Sequence, residues 1–98
     1  TASISAGLDY PGVSPIHCFL KDTKRARYTS ATDEGALNAY KLVTKLEKIN
    51  PSLEPSHAFA EAIKIAPKLN KDTIIIVNSC GDAKKDRDIL KERLGKIN

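Results

Sequence analysis

The sequence predicts an α/β domain whose elements run β-α-β-α-α-β-α, with helices packed on a parallel or mixed sheet. Three observations carry that expectation. Thr73 to Val77 is an unbroken β-branched run with no polar alternation, the pattern of a strand buried on both faces. Two stretches, 32–49 and 55–66, bring apolar residues back at three- and four-residue steps, and each ends at a proline. Finally, 98 residues with 41% hydrophobic and 29% charged side chains fit one small globular domain, neither disordered nor fibrous.

Taken in order, Ala2 to Leu8 reads as a short strand running into the Asp9-Tyr10-Pro11-Gly12 turn, where Pro fixes φ and Gly supplies the left-handed conformation. Pro15 suits the first turn of a helix reaching about Lys21, because its missing N–H costs nothing there. Ala26 to Ala31 is a short strand with Tyr28 on one face. Thr32 can accept from the open amides of the next helix, and Asp33 and Glu34 suit its positive end. Leu37, Tyr40, Val43 or Ala36, and then Leu46 or Glu47, form its stripe, and Asn50-Pro51 stops it. A further helix starts near Pro55 and runs through Ala58, Phe59, Ala62, Ile63 and Ala66 to Pro67. After the buried strand and the Asn78–Asp82 loop, a last helix from Asp86 turns Ile89, Leu90 and Leu94 inward. No repeat or linker divides residues 1–98, which form a single partial domain. The opening on alternating small and apolar residues, without a polar lead-in, reads as a piece of something longer.

Composition excludes several classes. The longest apolar run is far too short to cross a membrane, and no charged-then-apolar leader opens the chain. The net charge of +4 is mild, and the basic cluster Lys21, Lys24, Arg25 and Arg27 is followed by the lone aromatic Tyr28; this is a solvated basic turn, and nucleic acid is not an expected partner. Two cysteines, Cys18 and Cys80, make no disulfide framework and fit a reducing, cytoplasmic compartment. No metal is expected, because His17 and Cys18 are adjacent, His57 stands by itself, and no CxxC or HxxxH spacing occurs. Cys80 with either histidine lacks a third group to orient the base.

In open α/β sheets ligands sit beyond the carboxyl ends of the strands. Two segments answer to that place, Gly7-Leu8-Asp9-Tyr10 and Ser79-Cys80-Gly81-Asp82. Each is either a ligand edge, where Gly lets the backbone approach closely, or a tight turn with capping side chains. Glu54 is either a carboxylate matched to a positive helix end or one aimed at a ligand, and Asp9 is either an Asx turn or a salt-bridge switch.

The run Ser3-Ile4-Ser5-Ala6-Gly7-Leu8-Asp9-Tyr10-Pro11-Gly12-Val13, with Pro15 and His17 beyond it, resembles the C-terminal region of the tryptophan synthase β chain family. The same order continues in Tyr28-Thr29-Ser30-Ala31-Thr32-Asp33 and in Asn50-Pro51-Ser52-Leu53-Glu54-Pro55-Ser56-His57-Ala58. Val77-Asn78 before the Gly81 loop and Asp88-Ile89-Leu90-Lys91 complete it. The resemblance implies part of a fold-type II pyridoxal-phosphate enzyme, a partial three-layer α/β/α sheet. As a full chain it would be a lyase that makes L-tryptophan from L-serine and indole by β-replacement. That chain would be a homodimer, with an α chain as a possible further partner delivering indole through a tunnel.

The resemblance also implies roles. Gly7 would lie beside the cofactor ring, with Ser79, Cys80 and Gly81 on the cofactor side of the other loop. Asp9 would be the switch that closes the serine site, and Tyr10 the aromatic residue lining the indole path. Glu54 would lie over the cofactor near the aminoacrylate and indole. Cys80 stands where the family has a serine facing the pyridine nitrogen, and a neutral hydroxyl or thiol there favours β-replacement over transamination. The sequence departs from the family at Cys80, at Asp82-Ala83 in place of Arg-Gly, and at Ser14, Asn50 and Pro55. No lysine here follows the Schiff-base motif, and the Gly-rich phosphate loop has no counterpart, so these 98 residues alone are expected to be inactive and not to hold the cofactor tightly. The alternative is a non-catalytic interaction module that keeps this fold.

Overall fold

The computed structural model describes residues 3–8, 12 and 14–95. The described residues form four α-helices: α1 (Pro15–Asp22), α2 (Asp33–Glu47), α3 (Leu53–Ile65) and α4 (Arg87–Leu94). Short 3-10 turns lie at Ala6–Leu8, Ala66–Lys68 and Ala83–Asp86.

The helices follow from local chemistry. Ser14 Oγ accepts from the Ile16 amide at 3.2 Å and Pro15 occupies the first position of α1. Thr32 Oγ1 accepts from the Gly35 amide at 3.0 Å, Asp33 and Glu34 fill the first turn of α2, and Lys48 closes it in the left-handed conformation at φ 60°. Helix α3 begins at Leu53, two residues before the proline expected to start it, because Pro55 is still within the first turn, where no amide is required. Helices α2 and α3 pack on each other, and Ile4, Leu37, Tyr40, Leu53 and Leu90 form the core, with Ile89 and Leu94 against it. Helix α2 buries Ala36, Leu37, Ala39, Tyr40 and Val43, while Leu46, placed on its stripe by periodicity, is exposed. Helix α3 buries only Leu53, Pro55 and Ser56 in its first turn, and Ala58 and Ile63 of its expected stripe are exposed.

The expected α/β/α sheet and the order β-α-β-α-α-β-α are overturned: among the described residues there is no strand. The first expected strand is bent at Ile4 and Ser5 and coils into the 3-10 turn Ala6–Leu8, and residues 26–31 have no regular structure. The segment expected to be buried on both faces is also irregular and open to solvent, with Ile74 86% and Ile76 91% exposed. The physical reason is pairing. A β-branched run fits a pleated surface, but a strand exists only when a neighbour takes up its amides and carbonyls. Among the described residues no other segment pairs with Thr73 to Val77 as a strand. Among those residues, too, no helix is long and apolar enough to cross a membrane.

Candidate functional site

The site is assembled around the first turn of α3. Ser52 precedes this helix, but its hydroxyl donates to the Cys80 carbonyl at 2.6 Å instead of capping. The cap comes from another part of the chain, where Asp86 Oδ2 accepts from the Leu53 amide at 2.7 Å. Asp86 is buried, and a carboxylate there is tolerable because both of its oxygens have donors. These two bonds pull the Gly81 loop and the turn Ala83–Asp86 against the start of α3.

Glu54 sits at the centre of the resulting cluster. Its Oε1 accepts from the Gly7 amide at 3.1 Å, and Lys85 Nζ donates to Oε1 at 2.7 Å and to Oε2 at 2.8 Å. The same ammonium donates to Asp86 Oδ1 at 2.9 Å. Burial by itself pushes the Glu54 carboxyl up. The Lys85 hydrogen bonds, the backbone amides of Glu54 and Gly7, and the Lys85 charge outweigh it and hold the group down to about 2. Burial likewise pulls the Lys85 ammonium down, and hydrogen bonds and charge from Glu54 and Asp86 more than reverse this, leaving it raised.

A side chain at either glycine facing this carboxylate would displace a neighbouring side chain. A Cβ on Gly7 would stand 2.8 Å from Glu54 Oε1. A Cβ on Gly81 would stand 2.7 Å from Ser52 Oγ and 3.8 Å from Glu54 Oε2, and Gly81 also has φ +89°. On its other side Glu54 borders a cleft of about 360 Å³, whose walls include Leu8, Thr29 and Ser30 opposite His57 and Glu61 of α3. His57 Nδ1 lies 2.7 Å from the Leu53 carbonyl, which can only accept, so Nδ1 carries a proton. The arrangement presents one ionised carboxylate, fixed by a cation, between two bare glycine backbones and an open cleft.

The structure thus brings Gly7, Glu54 and Gly81 together. Cys80 joins them through its carbonyl, while Ser79 and Cys80 are exposed. Asp9 and Tyr10 lie outside the described residues. Sequence reasoning missed Ser52, Lys85 and Asp86. Lys85 reads as part of an ordinary charged lead-in to the last helix, and no periodicity links it to a glutamate 31 positions earlier. Among the described residues, no group of three or more His, Cys, Asp or Glu is placed to hold a metal.

No family model matches the chain. Individual proteins do. Over 92 residues, 94% of this chain, it is 60% identical to the tryptophan synthase beta chain of Fusobacterium nucleatum, of which that stretch is 23%. It is 56% identical over 93 residues to that of Cereibacter sphaeroides, covering 95% of this chain and 23% of the relative. The figures for Bordetella petrii are 54% over 95 residues, 97% of this chain and 24% of the relative. The chain therefore spans about a quarter of the length of the curated relatives it matches. With 54–60% of residues identical over 94–97% of its length, this chain belongs to the tryptophan synthase beta chain family.

Proposed function

We propose that these residues are the C-terminal part of a tryptophan synthase beta chain acting in the cytoplasm, and that they furnish one wall of its reaction site. The reaction is β-replacement, joining L-serine and indole into L-tryptophan, in a homodimeric full chain that takes indole from an α chain. The observation that carries this reading is the Glu54 carboxylate held between Gly7 and Gly81 at the edge of a cleft.

The chain fits one edge of pyridoxal phosphate and no more. Gly7 and Gly81 keep the crevice free of side-chain bulk, and the exposed Cys80 thiol beside them is a neutral, weak donor suited to an unprotonated ring nitrogen. Gly7, Ser79, Cys80 and Gly81 would hold that edge. When bound, the cofactor supplies an electron sink that lets the substituent on the β-carbon of an amino acid leave and be replaced.

The remaining work falls to the chain's own groups. Glu54, ionised at neutral pH, accepts the indole N–H on a carboxylate oxygen and so orients the incoming nucleophile. Asp9 closes the serine side and Tyr10 lines the path by which indole arrives. Leu53 N bonded to Asp86 Oδ2 of the turn before α4, and Ser52 Oγ bonded to the Cys80 carbonyl, keep the wall from spreading.

Steady-state assay of the full chain, with L-serine and indole and with Glu54→Gln, tests this. The expected result is a loss of about 100-fold or more in kcat, with the protein still folded. Full activity in Glu54→Gln, or a parent chain that consumes no indole with serine, sinks the reading.

A further inference from the structure

We propose that Lys85 is the positioning residue of this site: its ammonium, clamped between Glu54 and Asp86, fixes where the Glu54 carboxylate points in the Gly7–Gly81 crevice. The proposal rests on the functional reading above and extends it to a residue that the sequence did not single out.

The geometry closes on itself. The Leu53 amide donates to Asp86 Oδ2 at 2.7 Å, Lys85 Nζ donates to Asp86 Oδ1 at 2.9 Å, and the same Nζ donates to both oxygens of Glu54. Leu53 and Glu54 are consecutive, so this ring of bonds begins and ends on one turn of α3. A glutamate side chain at a helix start has three rotatable bonds, and its carboxylate would otherwise sweep over the open amides there. Contact by one ammonium with both oxygens removes that sweep, and Asp86, itself buried and anchored to the backbone, prevents the ammonium from following the glutamate outward.

Other groups near Glu54 do not replace this cation. His57 and Glu61 line the cleft from α3, Gly7 contributes an amide, and Asp82 is occupied at the Lys84 amide at 2.9 Å. Arg27 meets Glu61 at the outer limit of an ion pair, 4.0 Å, and is mostly exposed. Asp9 lies outside the described residues. Lys85 is therefore the one cation the described structure places on Glu54.

The experiment uses the full chain with Lys85→Met, Lys85→Arg and Lys85→Gln. Two readouts are taken: the pH profile of β-replacement, and the titration of Glu54 followed by carbon NMR with ¹³C-glutamate, assigned with Glu54→Gln. In Lys85→Met, kcat should fall about 100-fold while KM for L-serine moves less than about threefold, as expected when a reacting group is misplaced and substrate binding is spared. The acid limb of the profile and the Glu54 titration should both move up by more than about one pH unit, and Lys85→Arg should bring both back down. If Lys85→Met does not fold, Lys85→Gln, which keeps a donor without the charge, should show the same upward movement. A Glu54 titration unchanged in the variants without charge overturns the proposal. So does an equal loss in Lys85→Met and Lys85→Arg with no pH shift, the outcome for a lysine that merely fills space. A parent chain inactive on serine and indole would sink the functional reading, and the NMR titration would still decide the role of Lys85.

Discussion

Glu54 and Lys85, 31 residues apart in the chain, meet through both carboxylate oxygens at 2.7 and 2.8 Å. That contact joins the start of one helix to the turn leading into another, and it makes the stability of the region depend on pH.

The Glu54 carboxyl lies at about 2 in the folded chain against an ordinary 4.5. A depressed carboxyl contributes stability that is present above its unfolded value and disappears as the pH falls through the folded one. The window is therefore from about 4.5 down to about 2, and the contribution above it is on the order of 1–3 kcal/mol. Lys85 has the opposite sign, since its raised value gives stability that is lost only as the solution passes above the ordinary lysine range. Melting temperature against pH, compared with Glu54→Gln, checks this. The two curves should converge as the pH falls below 3, and curves that stay parallel from pH 5 to pH 2 would contradict it.

Gly7→Ala and Gly81→Ala should fail differently. At Gly7 the new Cβ meets the far end of the Glu54 side chain, which can swing away, so the cost is limited to the Glu54–Lys85 contact it gives up, about 1–3 kcal/mol. At Gly81 the new Cβ meets Ser52 Oγ on a backbone with positive φ, and the cost should be about 1–3 kcal/mol. Gly12→Ala, with nothing among the described residues within 4 Å of the added atom, is the control. Denaturant midpoints for the three variants give the ranking, and equal values for Gly12 and Gly81 would refute it.

Asp86→Ala should be among the most damaging single changes in the chain. It leaves the Leu53 amide without its acceptor and frees Lys85 from its anchor, a loss of about 2–4 kcal/mol. Asp86→Asn keeps an oxygen for one of these donors and should lose roughly half as much. Chemical denaturation of the two variants side by side makes the comparison, and equal losses would count against the account.

Leu53 is fully buried in the cluster it forms with Ile4, Leu37, Tyr40 and Leu90, so Leu53→Ala should cost about 2–5 kcal/mol. Leu46→Ala, on a side chain 63% exposed, should cost less than about 0.5 kcal/mol. The contrast, read from urea midpoints, separates the packed part of α2 from the part that periodicity alone assigned to the core.

What could be read from residues was what is local. Thr32, with two acids and an apolar stripe following it, marks the start of α2 to within a residue, and Pro15 does the same for α1. The sheet failed because Thr73 to Val77 states a preference for a pleated setting and says nothing of what lies alongside. Glu54 and Gly7 stood out because a carboxylate at a helix start and a glycine in a turn are both short-range signals. Lys85 and Asp86 did not, because what ties them to the site is contact with Glu54 and Leu53, more than thirty residues away in the chain. Ser52 was hidden for a related reason: it occupies a capping position and caps nothing.

The bond from Ser52 to the Cys80 carbonyl divides that cysteine into an anchored backbone and a side chain in solvent. A thiol so placed is a natural attachment point for a spectroscopic label. With Cys18, the other exposed thiol, changed to serine, the speed at which a thiol reagent reaches Cys80 Sγ would report how open the rim of the crevice stands, and a group seated there would slow it, giving rates where titrations and melting curves give only equilibria.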